Sequence, residues 1–185
     1  GAGGDVWVDK QKEMDIMLNP LGQRAIDALE LTEDKTILDI GCGCGATTLE
    51  IAKILPQGKI VGVDISKPML EQAIKSASDM SLSNTDFVVK DVQTDEIHSN
   101  YFDIAFSRFG VMFFEDPFEA FSNIYKSLKD GGQLSFVCWQ HASLTPWHSL
   151  SIQVINEYLV SDGKAAVIPF PFTLSSCFSS KTKLL

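Results

Sequence analysis

The chain has 185 residues, of which 45% are hydrophobic and 21% charged, a composition typical of one globular domain with a single core. Its formal net charge of −9, with no basic cluster to offset it, argues against nucleic acid as a partner, because phosphates would be repelled. The apolar runs are too short to cross a bilayer, so we expect no membrane insertion. The four cysteines fit no disulfide framework, which favours a cytoplasmic location.

Two helical patterns come first in the chain, at residues 10–18 and 20–31, and Pro20 is the first residue of the second. From Thr36 onward, short β-rich runs alternate with helical patterns. The predicted strands are residues 36–40, 59–64, 86–90, 102–106 and 133–139, and the predicted helices between them are residues 46–55, a helix from the N-cap Ser66 to Met80, and a helix capped by Asp116. Strands joined by crossover helices predict a doubly wound, mostly parallel α/β sheet with helices on both faces.

A glycine-rich loop follows the first predicted strand, with the sequence Asp-Ile-Gly-Cys-Gly-Cys-Gly-Ala at residues 39–46. Glycines permit a tight turn and allow the backbone to approach a ligand closely. Asp64 ends the second strand, 19 residues after Gly45, where a carboxylate can accept hydrogen bonds from two ribose hydroxyls. The loop fits both G-x-G-x-G and the dinucleotide form G-x-G-x-x-G/A, so it predicts a nucleoside-containing ligand without distinguishing the two kinds.

Four ordered motifs resemble those of class I S-adenosylmethionine-dependent methyltransferases. They are LDIGCGCG at residues 38–45, GVDISKPML at 62–70, VKDV at 89–92 and KDGG at 129–132. The stretch SRFGVMFF at residues 107–114 is similar to a small-molecule branch of that family, akin to the quinone-biosynthesis enzymes. The resemblance covers about residues 6 to 150 and implies a Rossmann-like methyltransferase fold with S-adenosyl-L-methionine as cofactor and S-adenosyl-L-homocysteine as product.

The resemblance also implies roles for individual residues. Asp39 would anchor the loop and the amino group of the cofactor, Asp64 would bind the ribose, and Asp91 would take the adenine amino group. The remaining implied positions are Gly41, Cys42, Gly43 and Gly45 along the methionine part, Ile65 and Met69 at the adenine, Val92 packed nearby, and Ser107, Arg108 and Phe109 lining the methyl-transfer site.

The residues that would catalyse the transfer are not identified by the sequence. A general base is needed only when the acceptor keeps its proton until attack. The candidates for a catalytic role are His141, His148 and Arg108. Arg108 could hold a substrate or cofactor carboxylate, or pair with a nearby acid such as Glu115 or Asp116. The aromatic stretch after the fourth strand favours a small, apolar acceptor.

The four cysteines, at positions 42, 44, 138 and 177, lack disulfide-framework and C-x-x-C spacing. The three histidines are scattered as well. We therefore expect reduced thiols and no metal site.

The chain divides into four predicted segments. Residues 1–4 are interpreted as an expression remnant, 5–34 as amino-terminal capping helices, 35–140 as the cofactor-binding α/β core, and 141–185 as a carboxy-terminal helix with an irregular tail, a truncated substrate region. The prolines within residues 168–172 are unfavourable in central strands, so the last strands of the family fold are expected to be missing. An exposed sheet edge, or the tail, then predicts a homodimer.

Three functions remain open at this point. The leading interpretation is a methyltransferase with an unidentified small-molecule acceptor. The alternatives are a non-catalytic S-adenosylmethionine-binding module, either truncated or a partner subunit, and an NAD-dependent oxidoreductase.

Overall fold

The computed structural model describes residues 2–140, 150, 153–154 and 157–158. Two compact units divide the chain, Gly1–Val137 and Cys138–Leu185. The elements of the first unit are α1 Ala2–Asp9, α2 Gln11–Asp27, β1 Thr36–Ile40, α3 Ala46–Ala52, β2 Lys59–Asp64, α4 Lys67–Asp79, β3 Thr85–Val89, β4 Phe102–Arg108, a 3-10 helix Val111–Phe113, α5 Pro117–Ser127 and β5 Leu128–Val137. In the second unit, residues 150, 153–154 and 157–158 are helical.

The described strands form one five-stranded sheet in the order β3-β2-β1-β4-β5, and every pair in it is parallel. This confirms the predicted doubly wound α/β fold. The chain leaves β1 toward one side of the sheet and returns to β4 on the other side, so the order reverses between these two strands. Ligands of open α/β sheets bind at the carboxyl ends of the strands beside such a reversal.

Two hydrophobic cores cover the two faces of the sheet, because side chains of successive strand residues point to opposite faces. Ile37 of β1 belongs to the core that α2 and α3 cover, and the adjacent Leu38 belongs to the core that α5 covers. Both side chains are completely buried. Burial of each such side chain contributes about 1.5–3 kcal/mol, so the strands need apolar residues at nearly every position.

The amino-terminal helices differ from the prediction. Residues 2–4, part of the predicted expression remnant, form the first turn of α1, and α2 continues through Pro20 instead of breaking there. Proline removes one hydrogen bond to the carbonyl four residues earlier. Leu18, Gly22, Ala25 and Ile26 are nevertheless buried, so packing on both sides of Pro20 keeps the helix continuous.

The last strand also differs from the prediction, because β5 begins at Leu128 and ends at Val137. Leu128 pairs with Phe102, and a register shift then separates this pair from the pair Ile104–Gln133. The predicted turn at residues 129–132 is therefore an irregularity within the strand, where Gly131 has a φ of +77°. β5 lies at one edge of the described sheet. Dimerisation through that edge stays a prediction.

The predicted N-cap of α5 is confirmed, because the Asp116 carboxylate accepts hydrogen bonds from the backbone N–H groups of Phe118 and Glu119. Ser66 precedes α4 as predicted, but its hydroxyl makes no capping hydrogen bond. None of the helices in the described part of the chain is both long enough and apolar enough to span a membrane.

The side chain of Asn84 provides a test of the packing of α3. Its amide donates to the backbone carbonyls of Ala52 and Leu55, both at 2.8 Å, where α3 ends. Each carbonyl also accepts one backbone N–H, that of Leu55 for Ala52 and that of Gly58 for Leu55, both at 3.2 Å, so the Asn84 amide adds two hydrogen bonds to this segment. We expect Asn84→Ala to lower the free energy of unfolding by about 1–3 kcal/mol in urea denaturation. Ser83→Ala, at the exposed neighbouring position, is the control, and an equal effect of both variants would contradict this role.

Candidate functional site

The glycine-rich loop lies at the carboxyl end of β1, beside the reversal of strand order. Gly41, Gly43 and Gly45 have φ angles of +65°, +57° and +82°. Side chains strain the backbone in this left-handed region, so each position favours glycine. A Cβ atom on Gly41 would lie 2.8 Å from the Cα atom of Gly110. The loop after β1 and the turn after β4 therefore cross in direct contact.

Asp64 fastens this loop to the end of β2. One carboxylate oxygen accepts the backbone N–H of Gly43 at 2.9 Å, and the other accepts the backbone N–H of Ser66 at 2.8 Å. A carboxylate has about four lone-pair sites, so each oxygen can accept one further hydrogen bond. Asp64 is only half-buried, and a pair of ribose hydroxyls could reach those sites.

Asp39 is a buried carboxyl group one residue before the end of β1, only 1% exposed. The hydroxyl of Thr48 donates to it at 2.6 Å. Burial raises the pKa of Asp39 to about 7, although the hydrogen bond from Thr48 and the charge of Arg108 both lower it. Among the described residues, no cation lies within ion-pair distance of Asp39. A cationic group of a ligand would therefore stabilise its charged form.

The two cysteines of the loop are buried and carry free thiols. The backbone N–H groups of Gly41 and Cys42 both donate to the carbonyl of Val63, so the Cys42 N–H is already bonded within the protein. Burial raises the pKa of the Cys42 thiol well above its usual range, and it raises that of Cys44 to about 11. Both thiols are therefore protonated and weakly reactive near neutral pH.

Ile65 and Met69, the predicted adenine contacts, lie beyond the end of β2. Ile65 is 73% exposed, whereas Met69 is half-buried. A Cβ atom on Gly43 would lie 2.9 Å from the Met69 methyl carbon. Helix α1 packs at the same place, since a Cβ atom on Gly4 would lie 2.3 Å from the Ser66 hydroxyl oxygen. That hydroxyl is buried and has no hydrogen-bond partner.

Asp91 and Val92 follow β3 and have different environments. One carboxylate oxygen of Asp91 accepts the backbone N–H of Gln93 at 2.9 Å, and Asp91 is half-buried. Val92 is 4% exposed and packs in the core with Leu38 and Val63. The second carboxylate oxygen of Asp91 can therefore accept a further hydrogen bond, whereas Val92 is part of the hydrophobic core.

Ser107 and Phe109 hold the backbone at the end of β4. The buried hydroxyl of Ser107 donates to the carbonyl of Ile40 at 2.7 Å and accepts the N–H of Gly110 at 3.2 Å. Phe109 is 6% exposed and has a φ of +60°, which is rare for an aromatic residue. Strained backbone of this kind is concentrated at functional sites.

Arg108 does not pair with Glu115 or Asp116, the acids considered from the sequence. Its guanidinium bonds the carboxylate of Asp15 at 2.8 Å and also donates to the side-chain oxygen of Asn19, both on α2. The sequence patterns did not identify these two residues, although their spacing of four places them on one face of α2. The guanidinium thus bonds two side chains of the protein itself, and binding of a ligand carboxylate by its remaining N–H groups stays a prediction.

The structure brings most of the predicted site residues to one edge of the sheet. Asp39 and the loop glycines follow β1, Asp64 ends β2, Asp91 follows β3, and Arg108 ends β4. His141 and His148, the other catalytic candidates, lie outside the described residues. Within the described residues, no group of three histidine, cysteine or acidic side chains is placed to hold a metal ion.

A sequence profile for the methyltransferase domain matches residues 37–132, half of the chain. The match spans the glycine-rich loop, Asp64 and the end of β4. The chain belongs to the family of S-adenosylmethionine-dependent methyltransferases. The cofactor of this family is S-adenosylmethionine, and the buried Asp39 and the half-buried Asp64 suit its ammonium group and its ribose.

Two comparisons show how far this member of the family resembles other proteins. Aklanonic acid methyltransferase DauC from a Streptomyces species is 34% identical over 118 residues, which cover 63% of this chain and 54% of that protein. A solved structure from Methanococcus maripaludis, assigned to the S-adenosylmethionine-dependent methyltransferases, is 30% identical, with a TM-score of 0.64. That match covers 84% of this chain and 72% of the other.

A third comparison shows that the fold also serves other chemistry. The structure of the [4+2]-cyclase SpnF has a TM-score of 0.60 and 27% identity, covering 63% of this chain and 43% of that one. The chain spans about half or less of the length of the first curated relatives that it matches.

The raised pKa of Asp39 leads to a prediction about stability. The folded protein holds this proton up to about pH 7, whereas the unfolded chain loses it near pH 4, as a carboxyl group normally does. The stabilisation from the protonated form is therefore complete below about pH 4 and is lost as the pH rises through 7. We expect Asp39→Asn, which keeps an acceptor for Thr48, to be more stable than the wild type at pH 8, by up to roughly 4 kcal/mol.

The measurement is urea denaturation of ligand-free protein at pH 4.5 and pH 8. The difference in the free energy of unfolding between Asp39→Asn and the wild type should be smaller at pH 4.5 than at pH 8. Asp103→Asn is the matched control with the opposite sign. Burial raises the pKa of Asp103, but hydrogen bonds from Lys129 and the Thr36 N–H outweigh burial, so the pKa is lowered overall. Asp103→Asn should therefore be less stable than the wild type at pH 8. Asp39→Asn behaving like Asp103→Asn would contradict the assignment.

Proposed function

We propose that this chain is a methyltransferase that transfers the methyl group of S-adenosylmethionine to a small-molecule acceptor. The observation that carries the proposal is the buried Asp39 carboxyl, which lies beside a loop of three left-handed glycines and lacks a directly paired cation among the described residues. When bound, the cofactor would supply an activated methyl group: the acceptor atom bonds to the methyl carbon while the carbon–sulfur bond breaks, and S-adenosyl-L-homocysteine is the leaving group.

The residues around the loop would bind the methionine and ribose parts. Asp39 would hold the ammonium group as a charge-assisted partner, because the charge of the carboxylate is otherwise compensated only at a distance by Arg108. The loop glycines would let the backbone lie close to the ligand. Asp64 would accept bonds from the two ribose hydroxyls with the lone pairs that Gly43 and Ser66 leave available.

The adenine would lie farther along the same edge of the sheet. The exposed Ile65 and the half-buried Met69 offer apolar surface to an aromatic ring. Asp91 would accept from the adenine amino group with its remaining carboxylate oxygen. This arrangement requires α1 to shift from Ser66 and Met69, or to share that surface with the ring.

The methyl-transfer site would lie beside the turn after β4, which Ser107 and Phe109 hold in place. The chain's task there is to align the acceptor with the methyl group and to exclude water. Half-exposed Phe113 and half-buried Met112 follow in the same turn and favour an apolar acceptor. The similarity to aklanonic acid methyltransferase supports a small organic acceptor.

Calorimetric titration with S-adenosylhomocysteine tests the cofactor site. We expect micromolar binding, and a loss of roughly ten- to a hundredfold in affinity for Asp64→Ala, because two hydrogen bonds to ribose are removed. Asp86→Ala is the control, since this exposed acid pairs only with Lys59 on the surface. Titration with NAD should give no heat. NAD binding that depends on Asp64 would replace the proposed function with that of an oxidoreductase.

The affinity for S-adenosylhomocysteine should also depend on pH through Asp39. The ammonium group needs the charged carboxylate, so each pH unit below 7 should weaken binding by up to about tenfold, with release of a proton on binding at pH 6. Proton release is measured by calorimetry in buffers of different ionisation enthalpy. Asp39→Asn should bind more weakly and show no such dependence between pH 5.5 and 8. An unchanged pH profile in this variant would exclude Asp39 as the ammonium partner.

A further inference from the structure

We propose that Arg108 is a positioning residue that holds the first half of α2 against the cofactor site, and that this half opens by bending at Pro20. We call residues 11–19 the gate, and Arg108 with Asp15 and Asn19 the latch. The inference rests on the proposed cofactor site, because the gate would control access to it.

One face of α2 surrounds the Arg108 side chain. Asp15, Asn19 and Gly22 lie at spacings of four and three residues, so they align along the helix. The guanidinium bonds the first two side chains, and a Cβ atom on Gly22 would lie only 2.8 Å from the Arg108 Cδ atom. The Asp15 and Arg108 side chains are 21% and 14% exposed, so the ion pair is largely shielded from water.

The two halves of α2 are held by different interactions. Ala25 and Ile26, in the second half, belong to the core, and the Ser135 hydroxyl of β5 donates to the Ala25 carbonyl at 2.8 Å. In the gate, the apolar residues Ile16 and Met17 are 79% and 51% exposed, whereas Leu18 is buried. Packing therefore fixes the second half, whereas the latch supplies much of what holds the gate.

Pro20 lies between these halves. It cannot donate a backbone hydrogen bond to the carbonyl of Ile16, so the helix is weakest there. Sharp bends in helices occur at such positions. The position of Pro20, immediately after Asn19 of the latch, makes it the natural hinge for the gate.

The latch lies next to the glycine-rich loop, because Gly110, two residues after Arg108, is in contact with the loop: a Cβ atom on Gly41 would lie 2.8 Å from its Cα atom. The charges of Asp15 and Arg108 both act on the Cys44 thiol, the first raising its pKa and the second lowering it, and Arg108 also lowers the pKa of Asp39. Arg108 directly follows Ser107, which bonds the carbonyl before the loop. Cys44 is 7% exposed while the gate is closed. Release of the latch should therefore expose this thiol.

The alkylation rate of each cysteine reports on the gate without any cofactor. The full-length chain is treated with N-ethylmaleimide at pH 8.5, and modified peptides are quantified by mass spectrometry. We expect Asp15→Asn and Arg108→Met to accelerate labelling of Cys44 at least tenfold, with little change at Cys42, which is buried against Gly62. Asp27→Asn is the matched control, because this exposed acid of the same helix accepts only from Gln23.

The charge-reversed double variant Asp15→Arg with Arg108→Asp separates the ion pair from side-chain packing. It should restore slow labelling of Cys44, at least in part, because the attraction is re-formed. Unchanged Cys44 rates in both single variants would overturn the latch. Parallel acceleration at Cys42 and Cys44 would also overturn it, since that pattern indicates a general loss of packing.

Addition of S-adenosylhomocysteine distinguishes the latch from the proposed function. The ligand should slow Cys44 labelling in the wild type, and it should dissociate faster from Arg108→Met than from the wild type in stopped-flow experiments. Faster labelling in the latch variants without any protection by the ligand would leave the latch standing and overturn the cofactor site. Protection with equal dissociation rates would leave the cofactor site standing and overturn the gate.

Discussion

The site depends on the close approach of two backbone segments, the loop after β1 and the turn after β4. A Cβ atom on Gly110 would lie 2.6 Å from the carbonyl oxygen of Ile40, so the approach is possible only with glycine at that position. The same approach lets the Ser107 hydroxyl donate to that carbonyl, one residue before Arg108 at the end of β4. This one constraint therefore links the glycine-rich loop, where we propose that the cofactor binds, to Arg108, which we propose holds the gate.

The charges of the site are balanced only in part, and this imbalance is consistent with ligand binding. Burial destabilises the charged form of Asp39, and the hydrogen bond from Thr48 offsets this only in part, so the pKa of Asp39 is raised to about 7. Arg108 is near enough to influence that pKa but bonds Asp15 instead. A site that is less stable than it could be without its ligand is typical of functional residues, because stability and binding are separate requirements.

The sequence predicts the elements that are determined by residues close together in the chain. Apolar runs between turn residues identify the five strands of the described sheet, and the pattern of glycines followed by an acid locates the glycine-rich loop at its edge. The errors concern long-range contacts. The partner of Arg108 is 93 residues away in the chain, and α2 continues through Pro20 because residues on both sides of it are buried. The hydroxyl of Ser66, a good N-cap by residue type, is buried against α1 instead of capping α4.

A division between the residues that bind the cofactor and those that meet the acceptor would also explain how one fold can serve several reactions. In the proposed function, the strand ends and the glycine-rich loop would recognise what related proteins have in common, the cofactor. The acceptor would meet other residues, and the exposed Ile16 and Met17 of the gate offer apolar side chains for such contacts. Substitutions in the gate would then alter acceptor choice without changing Asp39 or Asp64. The [4+2]-cyclase that shares the fold illustrates the same principle, since chemistry depends on the site and not on the sheet alone.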